Sequence, residues 1–157
     1  MPLNAENPAD SLVSKDLERD LPLYRELDHT ADLGIEVIAA TRCALFRRAA
    51  LALAALLVDQ SNVIGAVTRE SEIGGHDDIE LMHDLLTELL QLFAADGFIW
   101  RDADIDERGS ILHVRLQGES FDPNRHTARG EIKAVTYHQM TVEHTGTEWR
   151  ARIIFDV

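Results

Sequence analysis

Ionisable side chains crowd into two short segments far apart in the chain, residues 28–32 (DHTAD) and 131–138 (EIKAVTYH). A third charged side chain, Asp156, directly follows the apolar run 153–155 (IIF). Packing of a core does not require a charge in any of these places, because charged residues are almost never fully buried unless they are paired. We therefore expect folding to bring the three segments together as one site.

Two of these residues have the chemistry of metal ligands. Asp32 and Asp156 offer hard carboxylate oxygens, which suit Ca²⁺ or Mg²⁺ better than Zn²⁺ when carbonyls and water complete the shell. Strand alternation places Asp156 on the same face as Arg150 and Arg152, where a ligand or partner could reach it. The alternative interpretation is a solvated strand end, since exposed aspartate is the norm.

The basic residues of the two segments have two interpretations each. Lys133 could hold the two carboxylates together or meet a phosphate as a point charge. It could equally be a surface lysine whose stem covers apolar area. His29 and His138 could ligate a metal or carry protons, or they could simply bond to backbone. No HExxH or Cys/His spacing indicates a zinc site.

Composition bounds the class of protein. The chain has 157 residues, of which 45% are apolar, enough for the core of one domain. Asp and Glu total 28 against 15 Lys and Arg, a net charge of −13. A polyphosphate would be repelled by most of such a surface, so we expect no direct, tight binding of nucleic acid. The alternative is that the acidity serves only solubility.

Three features that the sequence lacks bear on the cellular compartment: a pair of cysteines, a signal peptide and a membrane-spanning segment. Cys43 is the single cysteine, so no disulfide framework exists. The first twenty residues contain no signal-peptide pattern, and the apolar stretch 49–58 is far too short to span a bilayer. We expect a cytoplasmic protein without a membrane segment, although a disulfide-free secreted protein would share the cysteine count.

Periodicity predicts an α+β fold. Residues 1–22 have the composition of a flexible acidic leader, and 23–157 that of the folded domain. Thr41 and Asp77 or Asp78 are expected helix N-caps, and Gly97 an expected C-cap. A largely antiparallel sheet covered by two helices follows from the order of elements. The predicted strands are 24–27, 33–37, 63–73, 98–106, 111–117, 131–144 and 148–157, and the predicted helices are 42–58 and 79–95.

The combination of the HTAD segment, the EIKAVTYH segment and the aspartate after a closing apolar strand resembles the archease family. The resemblance runs from about Tyr24 to Val157. It implies an archease-like single domain, built of two interlocked strand–helix–strand–strand modules.

The resemblance also implies a function. Archeases are non-enzymatic accessory factors of the GTP-dependent tRNA-splicing RNA ligase, which seals RNA ends bearing 3′-phosphate or 2′,3′-cyclic phosphate. They promote guanylylation of the ligase's active-site histidine and its multiple turnover. Carried over to this chain, the functional positions are Asp32, Lys133 and Asp156, with the metal site at the two carboxylates. To activation of the partner we assign Lys133, and also His29 and His138, which the resemblance does not supply.

Two rival functions remain open on the residues alone. Asp28, Asp32 and Asp156 could perform metal-assisted hydrolysis if they converge in a cleft, which would make the protein a small metal-dependent hydrolase. A chaperone-like RNA-processing module is the other rival. No nucleophile is flanked by a recognisable base, and there is no GxSxG sequence.

Overall fold

The computed structural model describes residues 21–28 and 32–157. Residues 1–20, most of the expected leader, lie outside this range, as does His29. Within the described residues there are seven strands, two α-helices and one 3₁₀ turn. In chain order these are β1 (Arg25–Leu27), β2 (Leu33–Ala39), α1 (Arg42–Leu57), the 3₁₀ turn (Gln60–Asn62), β3 (Val67–Gly74), α2 (Asp78–Asp96), β4 (Phe98–Arg108), β5 (Ile111–Ser120), β6 (Ala134–Thr145) and β7 (Glu148–Asp156).

The strands form two antiparallel sheets, which confirms the α+β class. The first sheet has the order β1-β2-β7-β6 and the second has the order β3-β5-β4. The second sheet and α2 come from one continuous segment, β3-α2-β4-β5. The first sheet takes β2 from before that segment and β6 and β7 from after it. The chain therefore contains one strand–helix–strand–strand module inserted into another.

The helix of each module packs against the sheet of the other module, which holds the two modules together. Helix α1 packs more extensively against β4 of the second sheet than against its own β2, and α2 packs chiefly against β6 of the first sheet. Trp100 of β4 is 1% exposed, and its indole N–H donates to the carbonyl of Ala50 in α1 at 2.9 Å. Small residues such as Ala49 and Ala50 allow this close approach. Pulling the modules apart would expose the shared core.

Both helices begin where the sequence predicts an N-cap, and α2 ends at its predicted C-cap. The Thr41 hydroxyl accepts from the amide of Ala44 at 3.2 Å, and the Asp77 carboxylate accepts from the amide of Glu80 at 2.8 Å. Gly97 ends α2 in the left-handed region at φ +63°, where glycine carries no Cβ penalty. Local capping chemistry thus fixes the position of α2, the helix that contacts β6.

The strand predicted from Val63 is wrong over its first four residues. Gln60–Asn62 forms a 3₁₀ turn, and β3 begins only at Val67. The amide of Ile64 donates to the Glu119 carboxylate at 2.6 Å instead of to a neighbouring strand. The alternating apolar residues of 63–66 therefore lie in a loop, which the Glu119 side chain holds in place. The strand predicted from Glu131 likewise begins later, at Ala134.

Candidate functional site

Strand register brings Asp32, Lys133 and Asp156 to one edge of the first sheet. Leu33 at the start of β2 pairs with Phe155 of β7, so Asp32 stands beside Asp156, one residue past the last pair. On the other side of β7, Ala134 pairs with Asp156, and the amide of Lys133 donates to the Asp156 carbonyl at 2.8 Å. Neighbouring strands lie about 4.8 Å apart. The three charged residues therefore occupy adjacent strand ends.

The side chains at this edge face solvent. Lys133 and Asp156 are exposed, and Asp32 is half-buried. Within the described part of the chain, no side-chain hydrogen bond or ion pair involves Lys133 or Asp156. An exposed lysine and an exposed carboxylate left without structural partners are available to a ligand or to another protein.

The face of β7 that carries Asp156 is less polar than alternation suggests. Ile154 lies on that face between Arg152 and Asp156, and it is fully buried. The reason is Gly34 of β2, where a Cβ would meet Ile154 Cδ1 at 3.0 Å and Leu27 Cβ at 3.4 Å. The side chains of Leu27 and Ile154, which flank Gly34 in the sheet, therefore approach each other over the glycine. Asp156 lies two residues further along β7, at the end of the strand.

The EIKAVTYH segment leaves the ladder directly after it passes the site. The register of β6 against β7 is interrupted between Thr136 and Thr141, and Gln139 adopts φ +53°. A positive φ is uncommon for a residue other than glycine. His138 lies in this interruption and is exposed. Its partner role stays a prediction, and His29 lies outside the described residues.

A histidine to which the sequence analysis assigns no role lies beneath this segment. The ring of His83, on α2, stacks on Tyr137 with centroids 3.7 Å apart and planes 11° apart. His83 Nε2 is 3.2 Å from the Val135 carbonyl, and Nδ1 is 3.0 Å from the Asp84 carboxylate. A polar residue beside the buried helical stripe was the available signal, but periodicity does not reveal which strand it touches.

The other side of Tyr137 remains open, since the residue is 54% exposed. Partial burial of its phenol, together with the nearby carboxylates of Asp84 and Glu80, raises the pKa of Tyr137 above its usual value. The phenol therefore stays protonated, and hence neutral, at physiological pH.

The donor set at the edge fits a hard divalent cation in kind but is sparse in number. Asp32 and Asp156 supply carboxylates on neighbouring strand ends, the chemistry that Ca²⁺ and Mg²⁺ prefer. Among residues 21–28 and 32–157, no group of three or more His, Cys, Asp or Glu side chains is placed to hold a metal. Backbone carbonyls and water would have to supply most of the six to eight oxygens that Ca²⁺ takes.

A surface depression lies elsewhere, on the open face of the second sheet. Its volume is about 680 Å³, and it is lined by charged residues that face each other across the strands. The lining includes Glu70, Glu72, Asp104, Asp106, His113 and Arg115. None of the residues predicted from sequence as site residues lines it. No helix in the described part of the chain is long and apolar enough to cross a membrane.

Comparison with known proteins gives a consistent result. The sequence profile of the Archease protein family (MTH1598/TM1083) matches residues 24–157. The protein archease of Methanosarcina barkeri is 34% identical over 139 residues, which cover 85% of this chain and 95% of that protein.

Solved structures show the same fold. The solution structure of Methanobacterium thermoautotrophicum protein 1598 has 32% identity and a TM-score of 0.67, covering 85% of this chain and 98% of that one. The crystal structure of an archease from Thermotoga maritima, described as a possible chaperone, has 21% identity and a TM-score of 0.60, with 85% and 96% covered.

Proposed function

Because the chain belongs to the archease family, we propose that it is an accessory factor, not itself an enzyme, of a GTP-dependent RNA ligase. It promotes guanylylation of the ligase's active-site histidine and restores the ligase for further turnovers in tRNA splicing and RNA repair. The observation that carries the proposal is the convergence of Asp32, Lys133 and Asp156 at one exposed sheet edge.

The arrangement of charge supports an action on a partner. Lys133 is exposed and has no ion-pair partner among the described residues, so its ammonium can meet a nucleotide phosphate or an acidic group of the ligase. His138 is exposed on the same segment, and we assign it to contact with the partner. The described residues around this edge form a strand end open to solvent. Such an edge suits insertion into another protein better than it suits enclosing a substrate.

The acidic surface supports a protein partner over RNA. At a net charge of −13, contact with a phosphate backbone is unfavourable over most of the surface. The ligase, which must itself bind RNA and GTP, supplies the basic surface in this arrangement. We place the action in the cytoplasm, where Cys43, the single cysteine of the chain, would remain reduced.

A hard divalent cation, Ca²⁺ or Mg²⁺, belongs to the same proposal. Asp32 and Asp156 would hold it, and it would supply positive charge next to Lys133 for a phosphate or a carboxylate of the partner. Calorimetric titration of the purified protein with Ca²⁺ tests this. Asp156→Ala should abolish binding, since one carboxylate leaves too few fixed oxygens. Lys133→Ala should leave binding intact or strengthen it, because a competing cation is gone.

The deciding experiment uses the ligase in substoichiometric amount with RNA carrying 3′-phosphate ends and GTP. Ligase alone should stop after about one turnover, and added accessory protein should restore repeated sealing and raise the guanylylated fraction of the ligase. The protein without ligase should leave the RNA unchanged. Hydrolysis of RNA or nucleotide by the protein alone would instead favour the metal-dependent hydrolase. Ligase turnover that is unaffected by the protein would refute the accessory role.

A further inference from the structure

The strand that carries the site loses its support from the neighbouring strand directly beyond the site. β6 pairs with β7 at Ala134, Val135 and Thr136, and pairing resumes only at Thr141. The intervening residues include the exposed Tyr137 and His138 and the positive φ of Gln139. Backbone without a ladder is freer to move. Another element must hold this segment if Lys133 and His138 are to keep a fixed geometry.

Helix α2 supplies two contacts through a single side chain. His83 Nε2 lies 3.2 Å from the carbonyl of Val135, just before the interruption. Its ring stacks on Tyr137, the first residue within the interruption, at 3.7 Å between centroids. The His83 side chain is 17% exposed, so these contacts are largely shielded from water. His83 therefore contacts β6 on both sides of Thr136, the residue at which pairing with β7 ends.

We propose that His83 is the positioning residue of the site: it fixes the 133–138 segment against α2, and thereby the geometry of Lys133 and His138. Nε2–H donates to Val135 O, and the ring supports Tyr137. Nδ1 lies 3.0 Å from the Asp84 carboxylate, a contact that is a hydrogen bond only when both ring nitrogens carry protons. The inference rests on the proposed function for its consequence in ligase activation, but the positioning itself can be measured without the ligase.

Three substitutions separate the two contacts. His83→Ala removes both the donor and the ring. His83→Phe keeps a ring to stack on Tyr137 and loses the donor. His83→Gln keeps an N–H donor and loses the ring. Each remaining contact should rescue part of the effect, because a neutral hydrogen bond and an aromatic stack are comparable in strength.

A matched control exists on the same hairpin. His144 stacks on Trp149 with centroids 4.7 Å apart and planes 7° apart, at the turn end of β6 and β7. Pairing there is continuous from Thr141 to Thr145. His144→Ala therefore removes a histidine–aromatic stack from a strand that still has its ladder, far along the strand from Lys133.

The first readout is amide hydrogen exchange followed by NMR. In His83→Ala, the amides of Lys133 to Thr136 should exchange about tenfold faster, corresponding to the loss of contacts of this size, while β5 amides keep their wild-type rates. His83→Phe and His83→Gln should fall between. His144→Ala should leave Lys133 to Thr136 unchanged. Unchanged exchange in His83→Ala, or uniform acceleration across both sheets, overturns the positioning role.

The second readout is ligase activation against concentration of the protein. His83→Ala should lower the maximal turnover about fivefold or more and leave the half-saturating concentration unchanged, since docking surfaces remain while the site geometry is lost. Faster exchange accompanied by unchanged maximal turnover would overturn the functional consequence. If the wild-type protein itself fails to activate the ligase, the proposed function fails, and hydrogen exchange alone decides whether His83 fixes the segment.

Discussion

The two sheets carry their charges in different ways. On the open face of the second sheet, acidic and basic side chains stand opposite each other across β3, β5 and β4. The cross-strand rows are Glu70–Arg115–Asp104 and Glu72–His113–Asp106. Arg115 lies 3.2 Å from Glu70, and His113 Nδ1 lies 3.4 Å from Glu72. At the edge of the first sheet, Lys133 and Asp156 are exposed and form no ion pair among the described residues.

We interpret this difference as one between a structural pattern and a candidate functional one. Opposite charges that face each other across a ladder support pairing and cancel much of each other's field. Charges collected at strand ends without such partners add nothing to pairing, yet their field extends toward solvent and toward a partner. The charged depression on the second sheet is therefore the weaker candidate for function, and the exposed edge of the first sheet is the stronger one.

The two sheets also differ in the surroundings of the points where strand pairing is interrupted. In the second sheet the register shifts between Trp100 and Asp102, opposite Gly118. A Cβ on Gly118 would lie 1.8 Å from the carbonyl oxygen of Ile99 and 2.7 Å from Trp100 Cα. That bulge is a close approach of backbones inside the core. The interruption in β6 leaves Tyr137 and His138 exposed, although Met140 within it is buried.

The largest expected effect tests the structural irregularity. Gly118→Ala should cost at least about 3 kcal/mol of unfolding free energy or prevent folding, because backbone atoms must move to admit the new Cβ. Gly74→Ala, in the same sheet, has nothing within 4 Å of its added Cβ and should change stability by less than about 0.5 kcal/mol. Urea unfolding measures both. Equal stability of the two variants would show that the bulge is not a close approach.

The next effect concerns the functional edge. Asp32→Ala, Lys133→Ala and Asp156→Ala should each reduce ligase activation tenfold or more while changing stability by only about 0.5 kcal/mol, the range of surface substitutions. Glu70→Ala is the control, because it removes an exposed, paired carboxylate from the second sheet and should leave activation intact. Turnover is measured with melting temperature for each variant. A loss of activation that followed the melting temperature would return these residues to a structural role.

Local signals were sufficient to predict most elements and the members of the edge. Thr41, Asp77 and Gly97 act through atoms within four residues of themselves, so sequence reveals them. Asp32, Lys133 and Asp156 stand out because each breaks a strand pattern. Bringing them together required only that the segments they belong to be neighbouring strands, as the register shows.

What sequence could not predict depends on contacts between distant segments. His83 acts through Val135 and Tyr137, more than fifty residues away along the chain. Residues 63–66 look like a strand until Glu119 is seen to accept the amide of Ile64. Periodicity indicates which face of a helix or strand is buried. It does not indicate which side chain will bond to a backbone amide in place of a neighbouring strand.

Glu119 gives a prediction that depends on pH. Hydrogen bonds from Arg125 and the Ile64 amide, with His126 Nε2 3.2 Å away, lower the pKa of this carboxyl from 4.5 to about 2. A depressed pKa means that the charged form stabilises the fold, fully above pH 4.5 and progressively less as the pH falls to about 2. Glu119→Gln should therefore have a lower melting temperature than the wild type at pH 6. This difference in melting temperature should disappear as the pH falls from 4.5 to about 2. A difference that stayed constant down to pH 2 would contradict this.

The smallest expected effect compares the two sheets most directly. A double-mutant cycle on Glu70 and Arg115, followed by urea unfolding, should give a coupling of about 0.2–1 kcal/mol, the range of exposed ion pairs. The same cycle on Lys133 and Asp156 should give a coupling near zero, because no side-chain contact joins them. In 1 M NaCl, where the screening length falls to about 3 Å, the Glu70–Arg115 coupling should shrink and the other should stay unchanged. A Lys133–Asp156 coupling as large as that of Glu70 and Arg115 would mean that the edge charges support the fold as the second sheet's charges do. Their exposure would then no longer distinguish a surface kept for a partner from one kept for stability.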